Sequence, residues 1–446
     1  GGTFTDLIVE DDDLGLTMYK AATVPGDPVA GVLDALGRAA ADRGETLAAL
    51  LGRGEMLIHG TTHAINAIIT GNTARTAFLT TAGHPDILVL REGGRSEPFN
   101  FTVPYPEPYV PRALTFEVPE RIDSAGRVHT PLDEVAVLAI VDRLRTTQVE
   151  AVGVCFLWSI YNGAHEARVG ELLAEHLPGV PVTLSHRLNP ALREYRRASS
   201  TVIDASLKPL MGRYLGSLTE RLAEAGFAGR TLVLTSQGGM LDAHDLAEKP
   251  IHLINSGPSM APVSGRHYAA LDSDAANVII ADTGGTTYDV SLVRGGRIPL
   301  TKETWIGQPF RGHMTGFPSI DIKSVGAGGG SIAWVDAGGL LHVGPRSAGA
   351  VPGPVCYGAG GTEPTVTDAS VVLGWLDPDW FLGGTMTLHP KDAARAIDAK
   401  IAQPLGLSLE DAAAAIVNVA TENMVQAIAD ITVNQGIDPA DAVLIG

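Results

Sequence analysis

Cysteine is nearly missing from this chain, whose 446 residues hold only Cys155 and Cys356. Two cysteines cannot make the disulfide framework of a small secreted domain, and the usage suits a reducing cytoplasm. Basic residues are scarce as well: 32 Lys and Arg stand against 50 Asp and Glu, a formal net charge of −18. Such a surface disfavours nucleic acid and anionic membrane as partners. It still allows backbone N–H groups to hold an anion locally. No apolar run reaches the roughly 18 residues of a membrane-spanning helix. The stretch Ala151–Ile160 is too short for that and reads as a buried strand. Charged residues are only 18% of the chain and apolar ones 45%, so core material is ample and disorder is not expected. At about 100–200 residues per domain, the length suggests two to four domains. The sequence starts at Gly1 without methionine, inside a motif, and stops at Gly446 after a strand-like stretch. Both ends are therefore expected to be cut relative to the natural protein.

One internal repeat organises what is present. Gly1-Gly2-Thr3-Phe4-Thr5-Asp6 precedes the apolar Leu7-Ile8-Val9, and Gly284-Gly285-Thr286-Thr287-Tyr288-Asp289 precedes Val290-Ser291-Leu292. Each copy continues through a polar or glycine turn (Asp11–Asp13; Gly295-Gly296) into an extended stretch with a lysine, Lys20 or Lys302. Each reads as a β-hairpin with a glycine-rich bend at its base. Between the copies, helical and strand-like segments alternate. Pro28–Leu51, Leu132–Arg145 and His165–His176 read as helices, and Arg75–Thr81 and Val152–Trp158 as strands. That pattern predicts α/β architecture. Asn189–Phe227 reads as a helical hairpin or kinked helix broken at Pro209, with the division between halves nearby. Glu97–Pro111 carries five prolines among Phe99, Phe101, Tyr105 and Tyr109, an extended surface excursion suited to docking on another chain or to packing back on its own domain. Ser324–Thr367 reads as glycine-rich and irregular, and Leu409–Gln435 as a long helix stopped by Gly436 and Pro439.

Asp282-Thr-Gly-Gly-Thr-Thr-Tyr-Asp289 follows the strand-like Val278–Ala281. Paired glycines turn the backbone tightly and present N–H groups to a phosphate, and Thr286 and Thr287 add hydroxyl donors. Asp282, at a strand end, is placed to hold a metal-bound water, with Asp289 beside it. An ordinary glycine hairpin is the alternative for one copy; the second copy at Gly1–Asp6 weighs against it. Two such loops facing one another can clamp the β- and γ-phosphates of ATP around Mg²⁺ or Mn²⁺. The cofactor-contact candidates are Gly1, Gly2, Thr3, Thr5, Asp6, Gly284, Gly285, Thr286 and Thr287. The run Ser324–Gly330 adds Gly326, Gly328 and Gly329, which either wrap an anion or make a close-packed turn. Asp321 before it either orients metal or substrate or caps a turn.

His59 and His63 stand at i and i+4, which on a helix share a face. A zinc pair is conceivable, but the glutamate of a His-Glu-x-x-His site is missing, so a cleft-lining or a structural role also remains open for them; Thr62 lies in a turn that opens a helix, and Asn66 can contact substrate or phosphate. Arg193, Arg196 and Arg197 sit at helical spacing and read as a solvated or interface face, whereas Arg91 or Arg95 can meet an acyl phosphate or substrate. The cysteines read as core residues, with no base beside Cys356 to make it a nucleophile.

Several stretches narrow the reading further. Gly60–Ala67, Thr80–Asp86, Phe116–Arg121, Asn255–Pro258, Val325–Ile332, Gly344–Ala350, Pro352–Tyr357, Pro364–Ala369 and Phe381–Gly384 resemble the hydantoinase A / 5-oxoprolinase family, nearly end to end. The paired loops resemble those of the actin, Hsp70 and sugar-kinase superfamily. The resemblance implies two duplicated actin-like (ribonuclease H-like) domains with a nucleotide cleft between them: residues 1–188 with the first phosphate loop and 189–446 with the second. It also implies a cytoplasmic subunit that uses ATP and Mg²⁺ to phosphorylate an unreactive carbonyl oxygen, in a hetero-oligomer with a hydantoinase B-like second subunit. Hydrolysis of a cyclic amide (a hydantoin, 5-oxoproline or a lactam) is the leading expectation. The alternatives are an acetone- or acetophenone-type carboxylase and an actin- or Hsp70-like nucleotide switch. On this reading Asp282, Asp289 and Asp321 are catalytic, and His59, Thr62, His63, Asn66 and Arg95 meet substrate. Two departures stand out: the aspartate that opens the family's first loop would precede Gly1, and a glycine-rich loop near the adenosine is expected just after Gly446.

Overall fold

The computed structural model describes residues 4–24, 26–93, 97, 99–382, 384 and 386–446. Gly1, Gly2, Thr3, Arg95 and Gly383 lie outside the described residues. The chain forms two compact units, Gly1–Ser259 with Leu300–Ser319, and Met260–Pro299 with Ile320–Gly446. Strands and helices mix in both, the α/β class that the sequence pattern predicts.

The first unit opens on an antiparallel hairpin, β1 (Phe4–Asp11) with β2 (Gly15–Ala22), in the register Asp6 to Lys20. The helical stretch that follows is two helices, α1 (Pro28–Asp42) and α2 (Leu47–Gly52). Asp27 caps the first and Thr46 the second through side-chain oxygens. Next come β3 (Met56–His59), α3 (His63–Thr70), β4 (Thr76–Thr81), β5 (Thr115–Val118), α4 (Glu134–Thr146), β6 (Ala151–Cys155), α5 (Ala164–His176) and β7 (Val182–Leu184). Strands β5, β4, β6 and β7 form a parallel sheet in that order. Every residue of β4 and β6 is buried, as a parallel sheet covered on both faces requires. Val137, Val141 and Leu144 of α4, Leu172 and Leu173 of α5, and Ala198 and Val202 of the next helix join this core. Gly153 lets that last helix come close, since a Cβ there would stand 3.1 Å from Val202 Cγ1.

That helix, α6 (Glu194–Glu224), is one unbroken element of 31 residues. It is neither a hairpin nor broken at Pro209. Proline removes a single backbone bond, while Ile203, Leu207, Met211, Leu215, Leu218 and Leu222 bury one continuous stripe on both sides of it. Arg197 is wholly buried, not part of a solvated face: its guanidinium donates to Ser185 Oγ, Ala191 O and Phe156 O. Strands β8 (Arg230–Leu234) and β9 (Met240–Asp242) finish a second sheet, with β3 parallel to β8 and β9 antiparallel to it.

The second unit is built from α7 (Met260–Asp272), β10 (Val278–Thr283), β11 (Tyr288–Val293), β12 (Ile322–Val325), β13 (Ser331–Val335), β14 (Leu341–Ser347), α8 (Val366–Val372), α9 (Leu409–Gln435) and β15 (Val443–Ile445). Its sheet runs β12-β11-β10-β15. Here the second copy of the repeat departs from the expected hairpin. After Gly295-Gly296 only the bridge Arg294–Arg297 forms, and β11 pairs with β10 before it and β12 far after it. Pro299 has no N–H to extend a ladder, and its carbonyl accepts from Asp321 N at 3.1 Å. The stretch 324–367 is more regular than its glycines suggest. Asp336 accepts from the N–H groups of Gly338 and Leu340 and so closes the turn of the β13–β14 hairpin. Helix α9 ends as expected, with Gly436 at φ 63°.

Candidate functional site

Strands β10 and β11 are joined by the turn 284–287, tied by Gly284 N to Thr287 O at 2.9 Å. Against this turn lies the run 326–330 after β12, which sequence spacing alone does not connect to it. Gly329 N donates to Gly284 O at 3.1 Å, and Gly330 N donates to Gly285 O at 2.6 Å. Only glycine fits this approach: a Cβ on Gly328 would stand 2.6 Å from Gly284 O and 2.7 Å from the Thr286 carbonyl carbon. Gly326 is also tightly packed, 3.0 Å from Pro345 Cα by the same measure. The two candidate loops are therefore one double-walled backbone cradle.

Two residues that sequence reasoning missed, Thr367 and Ser347, brace it, and Ser324 opens the candidate run beside it. Thr367 holds Gly329 O with both its N–H and its hydroxyl, each at 2.8 Å. Ser347 receives the Thr286 hydroxyl at 3.4 Å. Ser324 stands opposite Asp289 in the register of β11 and β12. The stretches Gly344–Ala350 and Pro364–Ala369 are distinctive in sequence, but nothing in them shows that they back onto this turn.

At the base of the cradle Asp282 and Asp289 are register partners. Asp282 is exposed and Asp289 half-buried. Burial pushes the Asp289 carboxyl up, and the Asp282 charge adds to this, against hydroxyl contacts from Ser324 and Thr287 that pull it down. One Asp289 oxygen, Oδ1, is buried without a hydrogen-bond partner. Two neighbouring carboxylates, one with an orphaned buried oxygen, fit a hard divalent cation that takes oxygen ligands. Among the described residues no group of three or more His, Cys, Asp or Glu side chains converges on one point. The remaining positions around such a cation would fall to water and ligand oxygens.

Asp321 is not brought to the cradle. It lies before β12, at the end away from Gly326, roughly 13 Å along an extended strand. There its carboxylate accepts from Gln435 Nε2 at 2.9 Å. In the first copy of the repeat, Thr5 Oγ1 meets Thr23 Oγ1 at 3.3 Å, and Asp6 is ion-paired with Lys20 at 3.1 Å. Asp6 is thus neutralised where its counterpart Asp289 is not.

His59 and His63 do not share a helix face, because His59 ends β3 and His63 opens α3. They converge on one residue all the same. The His59 Nε2 to Tyr214 hydroxyl distance is 2.7 Å, and the His63 ring centroid lies 5.0 Å from that of Tyr214. Burial pulls His59 down to about 4 and lowers His63 also, so both rings are neutral at pH 7. Thr62 precedes α3 and takes a hydrogen bond from Asn66 Nδ2 at 3.1 Å. Both cysteines are buried. Burial pushes Cys155 up to about 11 and raises Cys356 as well, which keeps the thiols protonated. Phe99 and Phe101 of the proline-rich excursion are exposed, whereas Tyr109 turns inward with its hydroxyl 2.7 Å from Ser206 Oγ. Among the described residues no helix is long and apolar enough to cross a membrane.

The class defined by this geometry is a two-unit α/β protein with a glycine-walled backbone cradle beside paired carboxylates. The chain belongs to the hydantoinase/oxoprolinase family: the model of its N-terminal region matches residues 1–177, and the hydantoinase/oxoprolinase model matches residues 197–446. It is 40% identical over 448 residues to the caprolactamase subunit alpha of Pseudomonas jessenii, covering 100% of this chain and 64% of that protein. It is 38% identical over 459 residues to the acetophenone carboxylase gamma subunit of Aromatoleum aromaticum, covering 100% of this chain and 62% of that one. The crystal structure of the ATP-dependent caprolactamase from Pseudomonas jessenii matches with a TM-score of 0.89, over 100% of this chain and 64% of that one. The nucleotide-free structure of acetone carboxylase matches with a TM-score of 0.79 at 26% identity, over 100% of this chain and 63% of the other. The chain thus spans less than two thirds of the length of these relatives.

Proposed function

We propose that this chain is the nucleotide-binding part of an enzyme that spends ATP to open a cyclic amide. The single observation that carries the reading is the double-walled cradle beside Asp282 and Asp289. The backbone N–H groups that the turn leaves unpaired offer donors to phosphate oxygens, and the glycine walls keep side chains out of their way. Asp282 and Asp289 hold Mg²⁺ or Mn²⁺, which when bound offsets the charge of the transferring phosphoryl group. Both copies of Gly-Gly-Thr-x-x-Asp act as phosphate loops of duplicated actin-like domains.

Chemically, an amide is a poor electrophile because nitrogen donates into its carbonyl. The amide oxygen attacks the γ-phosphorus, the bond to the ADP oxygen breaks, and an imidate phosphate forms. Water adds to its carbon, the C–N bond breaks with protonation of nitrogen, and the resulting acyl phosphate is hydrolysed by a second water. The balance is one ATP and two waters consumed for each amino acid, ADP and phosphate released. His59, His63, Thr62 and Asn66, together with Arg95, form the substrate contacts in this reading, and the neutral imidazoles suit an uncharged amide. Completing the reaction calls for a hydantoinase B-like partner in a cytoplasmic hetero-oligomer.

Likeness to caprolactamase, in sequence and in backbone, favours the hydrolase over the second reading, a ketone carboxylase. The test is a substrate panel. The full-length protein, purified with its partner, is given ATP plus a hydantoin, 5-oxoproline, a lactam, or a ketone with bicarbonate. ADP released one-for-one with the ring-opened acid from one of the amides is expected. Release driven only by ketone and bicarbonate transfers the assignment to the carboxylases, and ATP turnover indifferent to every small molecule favours a nucleotide switch.

A further inference from the structure

A cavity of about 500 Å³ lies in the first unit where α6 begins, between the loop after β4 and residues 193–195. We propose that it binds a small zwitterionic amino acid, with the carboxylate on Arg91 and the ammonium on Glu194.

Most of the charges in its wall are paired. Asp86 is paired with Arg112 at 3.0 Å. Glu92 is paired with Arg193 at 3.1 Å and with Arg196 at 2.9 Å. Two charges of opposite sign remain. Among the described residues Arg91 meets no carboxylate: its guanidinium donates to the backbone carbonyls of Gly312, Phe310 and Glu107, and its Nε is buried without a hydrogen-bond partner. Glu194 forms no ion pair among the described residues.

Neutral carbonyls orient a guanidinium without cancelling its charge, and a guanidinium has five N–H donors, so two are left after three such contacts. The charge is felt at the cavity wall, where burial pushes Tyr195 up and Arg91 pulls it back down. Arg91 is held at φ 55° and Arg193 at φ 78°, conformations uncommon for side chains of this size, and they fix the two rims. Pro85, Ile87 and Leu90 supply apolar wall between the polar groups.

Among the described residues, one cation without a carboxylate, one anion without an ion pair and an apolar strip share this cavity, and they match a molecule with a carboxylate, an ammonium and a short alkyl chain. A neutral cyclic amide offers neither charge. The choice of this ligand rests on the proposed ring opening, whose product from a lactam is an amino acid of this kind, and makes the cavity a product-exit or product-sensing site.

The test is calorimetric titration of the full-length protein, without nucleotide, with 6-aminohexanoate, hexanoate, hexylamine and caprolactam. The amino acid is expected to bind at least about tenfold more tightly than the other three, the weight of one charge-assisted contact. Glu194→Gln should weaken 6-aminohexanoate about tenfold and leave hexanoate unchanged. Arg91→Lys should weaken both, and the glutamate variant keeps the test decisive if this change disturbs residues 310–312. Hexanoate binding as tightly as the amino acid, an unaltered Glu194→Gln, or no binding at all overturns the proposal. Since no ATP is present, failure here leaves the ATP reading standing. Binding here with no amide-dependent ATP turnover sinks only the latter.

Discussion

Asp282 and Asp289 face each other across the β10–β11 ladder, and among the described residues neither has a cationic partner. The repeat's other aspartate, Asp6, has Lys20 at 3.1 Å. A pair of carboxylates left without a cation is a stored repulsion that a divalent ion relieves. Asp282→Ala should therefore abolish amide-dependent ATP hydrolysis. As an exposed position, it should change stability by no more than about 0.5 kcal/mol. The assay is ADP release beside a thermal melt, and turnover at the wild-type rate removes the metal role.

The raised Asp289 carboxyl sets an acid limb. A proton and a cation compete for the same oxygens, so Mg²⁺-dependent nucleotide binding should strengthen as pH rises through the Asp289 pKa. Removing the Asp282 charge, one of the causes of that rise, should move the limb to lower pH in Asp282→Asn. Affinity measured from pH 4.5 to 8 checks both statements, and a limb that stays put contradicts the coupling.

Asp204 gives a stability prediction independent of function. It is fully buried on α6, accepts from Thr183 Oγ1 at 2.8 Å and from Ile251 N at 3.2 Å, and burial raises it from 3.8 to about 6. A native pKa above the unfolded one means that the folded state holds the proton longer. Stability should thus fall as pH rises between about 4 and 6, by at most about 3 kcal/mol, and level off above. Asp204→Asn should flatten that window. Denaturant midpoints across it decide the matter: an unchanged slope in the variant shows that another group is responsible.

Tyr214 and His59 offer a further handle. Burial is the leading cause of the low His59 value, so Tyr214→Phe should leave the imidazole neutral at pH 7 while costing about 1 kcal/mol of stability for the lost hydrogen bond. Imidazole nitrogen shifts, followed by NMR from pH 8 to 5, are expected to show no titration of His59 in either protein.

Which parts of this were legible in the sequence follows from the range of the interactions. The first hairpin, the α/β alternation and the end of α9 are local patterns of glycine, aspartate and apolar spacing, and they could be read directly. Pro209 was misleading because the rule for proline is local, whereas the stripe from Ile203 to Leu222 is held by distant partners. His59 and His63 have helical spacing, but the chain changes from strand to helix between them, and Tyr214, which unites them, is remote in sequence. The turn 284–287 and the run 326–330 were each visible as glycine-rich. That they form one cradle depends on the β11–β12 pairing, which spacing does not specify. The same pairing leaves Asp321 at the wrong end of its strand to join them.

Nucleotide affinity in Gly328→Ala tests the central claim most directly. A methyl at this position meets the Gly284 carbonyl oxygen at 2.6 Å and the Thr286 backbone at 2.7 Å, so it wedges the two walls of the cradle apart. Titration of the full-length protein with a non-hydrolysable ATP analogue and Mg²⁺ should show at least about a tenfold loss of affinity in the variant, with cooperative unfolding retained. Affinity equal to the wild type, in a variant that still folds, would contradict the assignment of this cradle to the phosphates of ATP.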